Sequence, residues 1–454
     1  MIKQISAVLG IAIAATAITI LPIQNIQAGE VPSPTEFEVQ AKALSLICPG
    51  AAMNTGGANG TAVGSFDRIG SAAISKNSTV GITSSSIGGA TLLSAAGANE
   101  QGSAALNAGQ LQNAASARLN GLLGASCQAP SAQHWLLGGD TSTGRETLLL
   151  LSNPSTVPAT VNLEVYAEGG RVQAYGLSGI AVSAGETQVV PLSSLIPETR
   201  SFAVHVLSGG ASVGAWLQQR TVRGLLYSGA DFVSPVTTIA KSLSIPGILV
   251  RGAKDAAALI AINDDYQDLM PALRVFNPTD KPATFTAEIF GANDKTFGTV
   301  IRDTVPAKTT KDFTITGLAD GDYAAFVSSD QSLAASVRLP RSDKTKKPNT
   351  DFTWLQSGQQ LNSTQQITVP SAGIAKLALS NPTTKSANFT LNGVALTIKA
   401  QGTLVIKVDA GPITLKVTEG AIGGNLVVDV SGALTNLALV DYRNSGSRVA
   451  VKVR

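Results

Sequence analysis

A chain of 454 residues is too long to close around one hydrophobic core, so three or four domains are expected. Charged residues make up only 14 % of it, and 33 Lys+Arg stand against 30 Asp+Glu, a balance that argues against a polyanion-binding surface of the nucleic-acid kind. With 44 % hydrophobic residues it is not a highly charged disordered chain either.

The first predicted element is an export signal over residues 1–28. Lys3 supplies the positive start, residues 9–21 are apolar and uncharged, and Ile26-Gln27-Ala28 offers a small-residue cleavage site. Left uncleaved, the same segment would anchor the protein at the outer face of the cytoplasmic membrane and keep it near the bilayer. Later apolar runs are strand-length and interrupted, unlike spanning helices.

Residues 29–130 are dominated by Ala, Gly, Ser and Asn and read as an irregular segment. Pro32 and Pro34 mark an extended leader, residues 79–83 resemble a weak strand, and residues 110–123 fit a short helix equally well. The only two cysteines, Cys48 and Cys127, lie here. An even count in an oxidising compartment favours a disulfide, which in the chain-entropy model would remove about 4 kcal/mol of unfolded-state freedom. The alternative, a reactive or metal-binding thiol pair, lacks a neighbouring His or acidic residue.

From Trp135 onward one pattern repeats. An apolar run meets an Asn-Pro step at Asn153-Pro154, Asn277-Pro278 and Asn381-Pro382, then restarts with alternating apolar and polar residues. Asn bonds its own backbone in an Asx-turn and Pro offers no ladder donor, so each strand must stop there. Period-two alternation such as Ala283-Thr284-Phe285-Thr286-Ala287 is the mark of a half-buried strand. Roughly fifty residues past each Asn comes a second shared piece, beginning at Phe202, Tyr323 and Leu426 and ending in a Ser- or Gly-rich turn, which predicts a hairpin in all three places. The first two copies share a coda, Gly229-Ala230-Asp231-Phe232 and Asn349-Thr350-Asp351-Phe352. In the third, Asn392-Gly393 predicts an early tight turn. The expectation is an all-β protein of tandem immunoglobulin-like β-sandwich domains over residues 131–240, 241–360 and 361–454, closely apposed in a rod or arc, behind the irregular disulfide-bridged segment.

The search for chemistry finds little. His205 alternates with apolar neighbours in a strand, and His134 has no partner at metal-ligand spacing. No G-x-S-x-G elbow supports a Ser-His-Asp triad. Glu164, Glu168 and Glu186 fall within one repeat, but Glu164 has a counterpart in Glu288, so it suits the sandwich better than a paired-carboxylate site. Asp264, Asp265 and Asp268 form an acidic cluster without the Gly and distal Glu of an EF-hand and read as an exposed loop. Arg338, Arg341, Lys344, Lys346 and Lys347 read as a solvated hairpin tip, with contact to an anionic polymer or lipid headgroups as the alternative. Trp135, Trp216 and Trp354 sit in apolar strand patterns and read as core anchors rather than a sugar platform. No glycine loop opens a helix after a strand, so no nucleotide or other cofactor is implied.

These residues together resemble a family of secreted actinobacterial proteins of unknown function, the DUF5719 kind. The resemblance is carried by Cys48-Pro49-Gly50, Gly121-Leu122, Cys127-Gln128-Ala129-Pro130, Trp135-Leu136-Leu137-Gly138-Gly139 and the Leu-x-Asn-Pro strand ends. It implies an exported envelope protein of tandem β-sandwiches with a Cys pair, and it transfers no catalytic residue. The functional expectation is a non-catalytic envelope or secreted scaffold that binds a protein or cell-wall polymer. A carbohydrate-active enzyme or a sugar-binding module is the alternative.

Overall fold

A computed structural model describes residues 35–39, 43–56, 64–78, 80–96, 103–292, 297–343, 349–445 and 447–451. The expected export signal lies outside the described residues, as do Lys344, Lys346 and Lys347. The described chain is almost entirely β-strand, with one α-helix, Ala253–Ile260, and two short 3-10 turns.

Each Asn-Pro step is a buried clip. Asn277 Oδ1 accepts from the Thr279 N–H (3.0 Å) and Oγ1 (2.8 Å), closing the expected Asx-turn. Its Nδ2 donates to Lys281 O at 2.7 Å and across to Val305 O at 3.0 Å. Asn153 and Asn381 repeat the geometry on Ser155 and Thr383, and all three Asn side chains are fully buried. The clip therefore ends one strand and ties it to a strand of the facing layer.

Two layers share each core. In the first unit, Gln133–Leu137, Phe202–Gly209 and Ala159–Ala167 form one sheet, and Thr187–Pro191, Arg145–Ser152, Gly214–Arg223 and Leu226–Val233 form the other. Their inward residues, among them Leu149, Leu151, Val161, Val204 and Leu217, make one core. This arrangement corrects the hairpin expectation. Phe202–Gly209 and Gly214–Arg223 belong to opposite sheets, so Ser208-Gly209-Gly210 carries the chain between layers. In the second unit a single long strand, Gly321–Asp343, makes the same crossing: its first half pairs with Ala240–Val250 and Ala283–Gly291, its second with Ala272–Phe276 and Asn349–Gln356. Only the third piece is a true hairpin, Gly423–Val430 with Ala433–Ala438. A crossover and a hairpin both need an apolar run and a small-residue turn, so the pattern does not separate them. At Asn392 and Gly393 both φ angles are positive (49° and 83°) and the flanking strands pair, the tight turn that the dipeptide predicts.

The described residues between 44 and 126 are not irregular. They form strands including Leu44–Cys48, Ala90–Ala95, Ser103–Ser116 and Leu119–Ser126; the last two pair across residues 117–118, so the helix reading of residues 110–123 is overturned. The small residues that obscured the pattern are required by packing. A side chain at Gly124 would collide with Thr435 Oγ1, and one at Gly121 would lie 2.5 Å from the Ala230 nitrogen.

That crowding marks the centre of the molecule. Leu119–Ser126, Leu226–Val233, Asn349–Gln356 and Ala433–Ala438 pack each on the next, and the fourth returns to the first. The units thus close into a ring rather than a rod or arc. Asp351 is its pin: Oδ2 accepts from the N–H groups of Leu122 (3.0 Å) and Leu434 (3.2 Å), and Oδ1 accepts from Ala230 N–H (3.1 Å). Asp231 Oδ1 accepts from Gly124 N–H at 2.8 Å and Thr435 Oγ1 at 2.9 Å. The shared coda of the first two repeats therefore supplies two buried carboxylates that join strands from all four parts of the chain.

Burial pushes Asp351 up to about 8 against the opposing pull of its backbone N–H donors, and it pushes Asp231 well up, with the neighbouring Asp351 adding to the rise. A carboxyl whose folded pKa exceeds its unfolded one contributes stability that is complete below the unfolded value and lost as pH rises through the folded one. The melting temperature is therefore expected to fall between pH 5 and pH 9; a flat or rising profile would contradict the assignment. Asp268, Asp303 and Asp322, whose values are lowered, act at more acid pH. Cys48 and Cys127 are disulfide-bonded, 79 positions apart. Replacing both with Ser is expected to cost about 4 kcal/mol in urea denaturation.

A neutral cleft at the ring seam

The ring closes where the chain's early and late strands meet. Ser126 Oγ donates to Ala438 O at 2.9 Å, and Leu106 N–H donates to Tyr442 O at 3.3 Å. Immediately after the disulfide, Gln128 exchanges two backbone hydrogen bonds with Ile47, and Ser131 exchanges two with Val213. Held at both points, residues 127–131 form a fixed wall before the strand Gln133–Leu137 joins its sheet along Phe202–Gly209. Between this wall, residues 234–237 and residues 438–442 lies a cleft of about 460 Å³.

Aromatic, amide and hydroxyl groups of Gln128, Ser131, Gln133, Trp135, Thr237 and Tyr442 line it beside alanine, proline and valine side chains, and no Asp, Glu, Lys or Arg among the described residues does. His134 also lines it; burial lowers its pKa, opposed by the 2.7 Å contact of Nε2 with Val213 O, so the ring is uncharged at neutral pH. Burial raises the Tyr442 hydroxyl, with a backbone bond from Ala129 opposing. Gln128 donates to Ala215 O at 2.6 Å, while its buried Oε1 has no hydrogen-bond partner. The cleft is thus built to hydrogen-bond a neutral group beside an aromatic ring.

Trp135 also belongs to an outer cluster. Its indole stacks on His205 with centroids 3.9 Å apart and planes 3° from parallel, and Phe276 of the second unit lies 5.0 Å away. His205 Nδ1 faces Glu164 Oε2 at 3.2 Å; Glu164 also accepts from Tyr166 at 3.1 Å and pairs with Arg171 at 2.9 Å. Burial alone would raise Glu164, but these partners outweigh it and hold the carboxyl below its usual range. His205 thus lies on a sheet face, committed to a ring stack and an acid.

Other expected features separate. Trp216 and Trp354 are buried in cores, as anchors should be, whereas Trp135 is half-buried at the cleft. Glu168 and Glu186 are exposed. Asp268 does not sit in an open acidic loop: Arg145, Arg223 and Arg338 surround it at 3.0, 2.6 and 3.2 Å. Three guanidinium groups leave no place for calcium there. Arg338 is accordingly internal, and Arg341 lies 3.5 Å from Asp429, so neither belongs to a solvated tip. Sequence reasoning missed Gln128 and the two hub carboxylates; the repeated coda was the available signal for the latter. Replacing Gln128 with Met would leave Ala215 O without its donor. An expected loss of about 1–3 kcal/mol should appear as a lower urea midpoint, and an unchanged midpoint would deny the bond a role.

The stretch that lines the cleft, residues 127–135, includes motifs on which the family resemblance rests. No curated protein and no solved structure matches the chain. Residues 82–418 match a family of unknown function, DUF5719, and the chain belongs to that family.

Proposed function

We propose that this is an exported, non-catalytic protein of the cell envelope, built of immunoglobulin-like units, that binds a neutral cell-wall polymer through the seam cleft. The secreted actinobacterial setting and the cleaved signal are part of the same reading. One observation carries it: a cleft of about 460 Å³ that pairs Trp135 and Tyr442 with amide and hydroxyl groups and has no charged side chain among its lining residues. Stacking on an aromatic face with directed hydrogen bonds suits sugar hydroxyls and amides, whereas hydrolysis of a glycoside would place two carboxylates across the bound chain. The internal disulfide supports an oxidising location, and no helix among the described residues is long and apolar enough to cross a membrane. Rigid attachment of the wall by Cys127 and Gln128 keeps the site formed before the ligand arrives, which lowers the ordering cost of binding.

The test is co-sedimentation of the mature protein with purified insoluble cell wall, beside Trp135→Ala and Cys48→Ser/Cys127→Ser variants. Retention by the wall is expected to fall at least roughly tenfold for Trp135→Ala, the loss of about 1.4 kcal/mol. The double Cys variant should bind less because its wall is no longer stapled. Absence of sedimentation by the intact protein would defeat the polymer reading, and release of new reducing ends would replace it with an enzyme.

A further inference from the structure

A second concavity, in the second unit, shares no lining residue with the seam cleft. The helix Ala253–Ile260 stands over the loop after Thr310–Thr314 and the strand end at Pro340 and Ser342, leaving a pocket of about 360 Å³. Ala253, Ala256, Ala257, Ile260 and Ala261 line it at helical spacing, so small side chains leave open a space that larger ones would fill. The opposite walls are Val250, Met270, Ile315 and Leu318. Its described lining holds no aromatic ring, which sets it apart from the seam cleft and favours a flexible aliphatic occupant over a sugar or an aromatic one.

The polar groups narrow the choice. Ser342 borders the pocket at 1 % exposure, and its Oγ has no hydrogen-bond partner. Arg251, the one charged residue among the described lining residues, is committed to the carbonyls of Val250 and Gly321 and to Asp322. The pocket therefore offers a hydroxyl donor beside an aliphatic space, with the Arg251 charge already neutralised. We infer that this pocket binds one lipid acyl chain, its ester or carboxyl oxygen accepting from Ser342 Oγ. This site is independent of the seam cleft and of the wall-polymer reading.

The protein carries its own reporters. Met270 lines the pocket, while Met53 is buried in the N-terminal segment and packs against the first unit. Methyl-labelled methionine spectra of the mature protein would be recorded during titration with dodecanoate, and separately with monolauroylglycerol, below their aggregation concentrations. The Met270 methyl is expected to shift saturably while Met53 stays in place. A stronger response to monolauroylglycerol identifies an ester-linked chain, and a stronger response to dodecanoate a free fatty acid. Ala257→Trp, at an exposed helix position, should fill the pocket and abolish the shift with the Met53 signal unchanged. Ser342→Ala should weaken binding by about three- to tenfold, the value of one neutral hydrogen bond. A Met270 signal unmoved by both lipids, or one that shifts equally in Ala257→Trp, would overturn the assignment.

Discussion

The four parts of this chain meet at a carboxyl group that water cannot reach. Asp351 accepts backbone N–H bonds from Leu122, Ala230 and Leu434, one from each of the other three parts of the chain. A carboxyl group in a protein interior is costly to leave unbonded, and removing its donors would leave its oxygens unsatisfied. The converse also holds: three backbone donors on three separate strands have one acceptor in common, so none of those strands can shift without breaking a bond at the centre. Asp231 repeats the device on Gly124 and Thr435. The ring is fixed by directional bonds as well as by apolar area, and directional bonds specify which strand faces which.

The demands of that centre explain the composition. Gly121 and Gly124 sit where a side chain would strike the neighbouring strand, so the first segment must be poor in large residues where it enters the hub. Farther out, Arg274 joins the first and second units: it is 1 % exposed, forks onto Asp312 at 2.7 and 2.8 Å, donates to Gly139 O at 2.8 Å, and lies over the Trp354 ring at 4.5 Å. A planar, always-charged guanidinium satisfies a carboxylate, a carbonyl and an aromatic face at once, which Lys would not. Between the second and third units, Asp322 links Arg251 to Lys376, and Asn425 donates to Pro246 O at 2.8 Å. Arg274, Asp322, Arg251 and Lys376 thus place ionic groups at the joints between units.

What could be read from the residues depended on how local its cause was. The Asn-Pro clips were legible because an Asx-turn is made by residues two apart, and Asn392-Gly393 because two positive φ angles have a strong residue preference. The all-β class followed from alternation. The crossovers at Ser208 and along Gly321–Asp343 were not legible, because which sheet a strand joins is decided by partners dozens of residues away. The first segment looked irregular because its strands are made of Ala, Ser and Gly, whose small size answers a crowding visible only in three dimensions. Of the candidate site, Cys127 and Trp135 stood out by residue type, but Gln128 did not. Nothing in a lone glutamine announces that its amide will be buried against Ala215 O. Likewise Asp264, Asp265 and Asp268 looked like one acidic group until three arginines from distant strands claimed the last of them.

A ring whose first inner strand is Leu119–Ser126 and whose last is Ala433–Ala438 has an ordering problem in time. The acceptor Asp351 emerges during synthesis well before its donor at Leu434, and the donor at Leu122 must wait longest. Contacts this far apart in sequence are slow to form and leave strand edges exposed in the interval. A chain ending at Ala433 would lose Leu434, Thr435 and the seam together, although every earlier strand would be intact. Closure of the centre is therefore all-or-nothing: folding after residues 433–438 have arrived suits such an architecture better than stepwise folding of its units.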